Sequence, residues 1–176
     1  MELPEAAEML SRTPDVLDAL LTGLPPQWLH HNDGPGTWSA YDIVGHLLHG
    51  DGTNWLPRAR MILDRGAEAP FEPFDREAML SEEHADVSVL LARFRTARRA
   101  SLGELSAMDI EPDDMERRGL HPDLGEVTLG QLLATWVAHD LTHLGQIGEV
   151  LARRYREDVG PWRQYMPALD RTAEAE

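Results

Sequence analysis

Apolar residues recur along this chain at spacings of three and four, and prolines and glycines cut the pattern into four long segments. The spacing predicts an all-α fold, since no sustained run of alternating β-branched residues is present outside one short loop. The first helical region starts near Pro4. Thr13-Pro14 offers a helix cap followed by proline at a first helical position, so one bent helix or two consecutive ones reach Gly23, with Val16, Leu17, Leu20, Leu21 and Leu24 as the apolar stripe. The second helix begins at Ser39, with Asp42 three residues on to complete a capping box and Trp38 placed to staple onto Ile43. It carries Ile43, Val44, Leu47 and Leu48, and Gly50, Gly52 and Pro57 predict a kink before the pattern resumes through Met61, Ile62 and Leu63.

A third helix repeats apolar residues at Val87, Leu90, Leu91, Phe94, Ala97, Leu102, Leu105 and Met108 and ends near Asp109. The connection that follows holds either a minimal hairpin around His121 to Gly125 or a structured loop. A fourth helix opens at Thr128, where Gln131 completes a second capping box, and its stripe runs through Leu129, Leu132, Leu133, Trp136, Val137, Leu144, Ile147, Val150 and Leu151. Four amphipathic segments of this length pack as a four-helix bundle, so residues 1–176 read as a single helical-bundle domain whose end, residues 170–176, frays.

Charge narrows the range of partners. The net charge of −15 repels phosphate backbones and anionic membrane surfaces, and the densest basic group, Arg93, Arg95, Arg98 and Arg99, reads as a solvated helix face. Nucleic acid and membrane are therefore not expected as partners. The N-terminus has no basic start followed by an apolar core, and no apolar run reaches membrane length, which predicts a cytoplasmic protein. The chain contains no cysteine, which excludes disulfides, thiolate ligands and a cysteine nucleophile.

Candidate chemistry sits in the fourth helix, in "AHDLTHLGQI", Ala138 to Ile147. His139 and His143 are four residues apart, about 40° around a helix, so both project from one face one turn apart, and Gln146 shares that face. His143 lies beside the core stripe at Leu144, which points the pair between helices, where bundles build metal sites. His46 on the second helix is the strongest third ligand, with His49 one turn later in reserve. The same spacing also arises on helices that bind no metal, and the pair alone leaves that alternative open. The stretch comes close to the HExxH signature of zinc peptidases, but Asp140 is shorter than the glutamate of that motif and lies about 100° from His139 on the wheel. Asp140 instead reads as a hydrogen-bond acceptor behind the ligands, a proton shuttle or a surface charge. His30, His31, His84 and His121 read as surface residues, while Trp38, Trp55 and Trp136 read as core aromatics that could also line a pocket.

Three blocks, "WSAYDIVGHLLHGDGTNWLPRARMIL" (Trp38 to Leu63), "FEPFD" (Phe71 to Asp75) and "GLHPDLGEVTLGQLLATWVAHDLTHLGQI" (Gly119 to Ile147), together with the closing "VGPWRQYMPAL", resemble the DinB-like family, also described as DinB/YfiT-like metalloenzymes. The resemblance implies a four-helix bundle with up-down-down-up connectivity and a metal held by three histidines, here His46, His139 and His143. It also implies a homodimer. Three neutral imidazoles would leave a divalent ion its full charge and open positions, the arrangement of a catalytic site. Zinc or nickel suits such ligands best, with iron, copper or manganese as further choices. The resemblance favours a low-molecular-weight thiol cosubstrate in S-transferase or isomerase chemistry on a small-molecule substrate. The alternatives are hydrolysis of a small substrate, with Asp140 or His49 moving a proton, and a non-catalytic metal-binding stress-associated module.

Overall fold

Three of the long helices begin where Ser39, Asp86 and Thr128 supply side-chain acceptors for backbone N–H groups that a helix start leaves unpaired. The computed structural model describes residues 2–81 and 85–171, so His84 and most of the expected frayed tail lie outside the described residues. Its main elements are α1 (Leu3–Leu21), α2 (Pro26–Leu29), α3 (Ala40–Thr53), α4 (Trp55–Arg65), α5 (Val87–Ala107), β1 (Arg118–His121), β2 (Gly125–Thr128) and α6 (Leu129–Arg153). Both expected capping boxes form, Ser39 with Asp42 on α3 and Thr128 with Gln131 on α6. Among the described residues, no helix is long and apolar enough to cross a membrane.

The expected kink is a break at Asn54, where α3 hands over to α4. Pro57 falls in the first turn of α4, where its missing N–H costs no intrahelical bond. The two pieces together form the second rod of a four-helix bundle. Contacts along the rods give their directions. Arg98 bonds the carbonyl of Leu10 while Arg95 pairs with Asp15 and Asp18, so α1 and α5 run antiparallel. The Tyr41 hydroxyl donates to the carbonyl of Ala85, Asp51 meets Arg98 and Arg60 pairs with Glu104, so α3–α4 and α5 run in the same direction. Trp55 stacks on Trp136 and His46 meets His143, which sets α6 antiparallel to α3. The connectivity is up-down-down-up.

Two expectations about helix faces change. In α1 the buried residues are Ala6, Leu10, Thr13, Pro14, Leu17 and Leu21, a single stripe running through Pro14, whereas Val16 and Leu20 are 43% and 38% exposed. The helix does not restart at Thr13, whose hydroxyl is committed to Asp140 on another helix. In α5, Arg98 is not on a solvated face: it is 1% exposed, in the stripe Leu91, Phe94, Arg98, Ser101, Leu105.

The hairpin alternative is the one adopted. β1 and β2 pair antiparallel, with Gly125 at φ 76° closing the turn and the backbone N–H groups of Asp123 and Leu124 donating to Nδ1 of His121. Gly119 is required by packing: a Cβ there would lie 2.6 Å from Cγ1 of Ile62 and from Cζ of the buried Phe71. Gly119→Ala should therefore destabilise the protein by about 1–3 kcal/mol through overpacking. Urea denaturation checks this, with Gly125→Ala as the comparison in which strain comes from the positive φ alone.

Candidate metal centre

His46 projects from α3 about one turn after Asp42 of the capping box, and His139 and His143 project from α6 on adjacent turns. The three rings meet where the two helices cross. Nε2 of His139 lies 3.0 Å from Nε2 of His46 and 3.2 Å from Nε2 of His143, and one ligand atom from each of the three lies within 4.8 Å of the others. This is the group of histidines expected from the sequence, brought together from positions 93 residues apart. No other group of this kind occurs among the described residues.

The outer nitrogens determine what the inner ones can offer. Nδ1 of His46 donates to the backbone carbonyl of Arg76 at 3.1 Å, and Nδ1 of His143 donates to Oε1 of Gln146 at 2.7 Å. A neutral imidazole carries one N–H, so both rings turn a lone pair at Nε2 toward His139. Nδ1 of His139 is buried without a partner. If its proton sits at Nδ1, three lone pairs face one another; if at Nε2, a single N–H faces two acceptors. Neither arrangement satisfies the cluster, whereas a cation at the meeting point satisfies all three lone pairs, and the donor set fits a divalent metal.

Electrostatics keep the His46 and His139 rings neutral. Burial, and then the neighbouring His143, lower the pKa of His46 from 6.5 to about 4, with smaller contributions from His49 and Arg76 against the bond to the Arg76 carbonyl. Burial also dominates at His139, lowered to about 2, followed by His143, His46 and Arg98. Aromatic walls account for much of the burial. Trp38 packs 4.7 Å from His46 and Trp55 packs 5.1 Å from His139, centroid to centroid, while Phe74 meets His46 edge-on at 5.6 Å. Trp38 and Trp55 are thus both core and lining; Trp136 stacks behind Trp55 at 5.8 Å.

The remaining candidates separate cleanly. Gln146 orients His143. His49 stands one turn beyond His46, half-buried and stacked on Phe74 at 5.2 Å. Asp140 is neither a surface charge nor a partner of the triad. Its helix position turns it to the far side, where it is 2% exposed and accepts hydrogen bonds from Thr13 Oγ1 at 2.6 Å and from Arg98 Nη1 at 2.5 Å. His30 packs on Tyr41 and His121 caps the hairpin turn, both away from the triad.

What the sequence reading missed is the layer behind the ligands. Arg98 forks Asp51 through Nε at 2.7 Å and Nη2 at 2.9 Å, forks Asp140 through Nη1 and Nη2, and donates from Nη1 to the carbonyl of Leu10 at 2.8 Å. Those are five donor contacts for a group with five N–H bonds. Burial works to lower the Arg98 pKa, but the pairs with Asp51 and Asp140 outweigh it and hold the guanidinium above its ordinary value. Burial holds the Asp51 carboxyl above its ordinary value despite Arg98. The detectable signal was the stripe itself, since position 98 is four residues after Phe94 and seven before Leu105.

Comparison with known proteins bears on the family and the fold. A family model described as the DinB superfamily matches residues 9–147. No curated protein matches the chain. Among solved structures, YfiT from Bacillus subtilis, described as a probable metal-dependent hydrolase with an unusual four-helix bundle topology, aligns with a TM-score of 0.74 at 20% identity, over 88% of this chain and 90% of that one. At that identity the likeness is one of fold.

Two outcomes are expected from this geometry. Arg98→Met leaves two buried carboxylates facing each other and should cost about 3–5 kcal/mol in chemical denaturation. Replacing Asp51, Arg98 and Asp140 together with apolar residues should cost less than that single change. In metal-free protein the unfolded chain protonates histidine near 6.5 while folded His46 and His139 resist to about 4 and about 2. The unfolded state therefore binds more protons below about 6.5, so stability should be full above that pH and fall as pH drops through 6 toward 4. Urea midpoints between pH 7.5 and 5 measure this slope, and His139→Phe should flatten it.

Proposed function

The chain belongs to the DinB superfamily, and on that premise we propose that His46, His139 and His143 hold a divalent metal ion used in chemistry on a small molecule. The observation that carries this reading is the convergence of three Nε2 atoms, two of which have their lone pairs fixed inward by the Arg76 carbonyl and Gln146. A bound divalent ion supplies Lewis acidity, lowering the pKa of water or of a thiol toward neutrality and so providing a nucleophile near pH 7.

The protein's own residues do the rest. The imidazoles of His46 and His139 stay neutral and therefore available as ligands well below pH 7. Trp38, Trp55 and Phe74 exclude water from the ligand rings, which strengthens the electrostatic effect of any charge placed among them. His49, one turn beyond His46 on α3 and half-buried against Phe74, is placed to move a proton between substrate and solvent. Asp140 is excluded from that task by its bonds to Arg98 and Thr13.

Hydrolysis is the first reading, supported by the description of YfiT. Transfer of a thiol from a low-molecular-weight cosubstrate is the second: the walls of the site are aromatic, and a soft, weakly hydrated sulfur suits them better than it suits water-filled surroundings. The chain, which has no cysteine, requires that thiol from outside.

Metal analysis of protein purified without an affinity tag should give about one divalent ion per chain, and His46→Ala and His139→Ala should each lose it; retention of metal by both variants would remove the reading. Cobalt-substituted protein then separates the two chemistries. A visible spectrum that responds to small thiols, with turnover of an electrophile, supports transfer. A spectrum indifferent to thiols, with cleavage of ester or amide substrates, supports hydrolysis.

A further inference from the structure

Residues 70–81 form a strap across the histidine cluster, fixed at both ends. At one end the backbone N–H of Phe71 donates to the carbonyl of Leu120 at 2.8 Å, and its buried ring fills the space left by Gly119. At the other end the buried Met79 sits in a short 3-10 turn, Ala78–Ser81, where the N–H of Leu80 donates to the carbonyl of Glu77 at 2.9 Å. Between these anchors the strap delivers Phe74 to the rings of His46 and His49, and the carbonyl of Arg76 to Nδ1 of His46.

Met79 rests directly on α3 at Gly45, the residue before His46. A Cβ at position 45 would lie 3.2 Å from both Cβ and Cγ of Met79. That is tighter than ordinary van der Waals contact, and Cβ of Met79 follows its backbone, so the strap itself would have to move outward by a few tenths of an ångström. The hydrogen bond from His46 to Arg76 is already 3.1 Å long, and such a shift takes it to the limit of hydrogen bonding. Gly52, in the same helix, has nothing within 4 Å of its virtual Cβ.

We propose that Gly45 is a positioning residue: the missing side chain lets Met79 seat against α3, which sets the Arg76 carbonyl over His46 and fixes the ring with its Nε2 lone pair toward His139 and His143. This rests on the reading that the three histidines hold a metal. Without the carbonyl, the His46 proton is free to occupy Nε2, the atom that must be a lone pair for ligation.

The test compares parent, Gly45→Ala, Gly52→Ala and Met79→Val by zinc titration in competition with a chromophoric chelator. Both glycine changes raise helix propensity alike. The expected result is that Gly45→Ala weakens zinc binding by roughly ten- to a hundred-fold, while Gly52→Ala binds as the parent does. Met79→Val thickens the same contact from the strap side and should weaken binding in the same direction, which keeps the test decisive if Gly45→Ala does not fold. Parent-like affinity in whichever of Gly45→Ala and Met79→Val folds overturns the proposal. A second readout needs no metal: the imidazole N–H resonance of His46 should be protected in metal-free parent and Gly52→Ala, and lost to solvent exchange in Gly45→Ala. If the parent takes up no zinc, the functional reading fails, and this resonance still decides whether Gly45 positions the ring: its persistence in Gly45→Ala refutes that role.

Discussion

A single guanidinium joins the four rods of this bundle. Arg98 on α5 is tied to Asp51 on α3, to Asp140 on α6 and to the backbone of α1 at Leu10, and Thr13 of α1 closes the circle onto Asp140. The charged layer separates two apolar clusters, one around Leu17, Val44, Leu47, Phe94 and Ile147 and the other around Leu10, Trp55, Leu105, Leu132 and Trp136. Apolar packing tolerates rotation of one helix against another far better than a forked ion pair does, because dispersion is weakly directional and a bidentate bond is not. A rotation of α6 large enough to part His139 and His143 from His46 would also break the bonds to Asp140. The direction of the histidines is therefore set from behind by a residue that touches none of them.

That arrangement explains why consecutive positions on α6 face opposite duties. His139 and Asp140 are about 100° apart on the helix, enough to send one into the ligand cluster and the other into the ion layer. The resemblance to a peptidase signature dissolves for the same reason. An acidic residue directly after the first histidine cannot serve the ion those histidines would share once it is saturated by an arginine and a threonine.

Much of this was legible in the sequence. Both capping boxes announce themselves by residue type and spacing, the break near Pro57 follows from a missing donor, and the spacing of His139 and His143 with the helical placement of His46 left the cluster open until the family resemblance singled it out. What stayed hidden depended on partners remote in the chain. Arg98 occupies a core position of its stripe, but its neighbours Arg93, Arg95 and Arg99 made it look like one more solvated charge, and nothing local reveals that Asp51 and Asp140 await it. The face of α1 was misjudged because Thr13 and Pro14 are poor markers of burial, although both are buried. The strap was visible as a proline-bearing loop, yet a backbone carbonyl such as that of Arg76 leaves no mark on residue identity at all.

The ion layer also bears on how the chain assembles. Its members come from positions 13, 51, 98 and 140, and the bonds among them span 42 to 127 residues, so the layer is complete only when all four rods are in place. Until the last long helix docks, Arg98 and Asp51 gain more by staying hydrated than by pairing in a half-built interior, which penalises partial structures and sharpens the transition. The histidines meet across the same pair of helices that the layer joins. Ligand convergence and completion of the fold thus become one cooperative event, so a chain caught midway would offer a passing metal ion scattered imidazoles and no ready-made cluster.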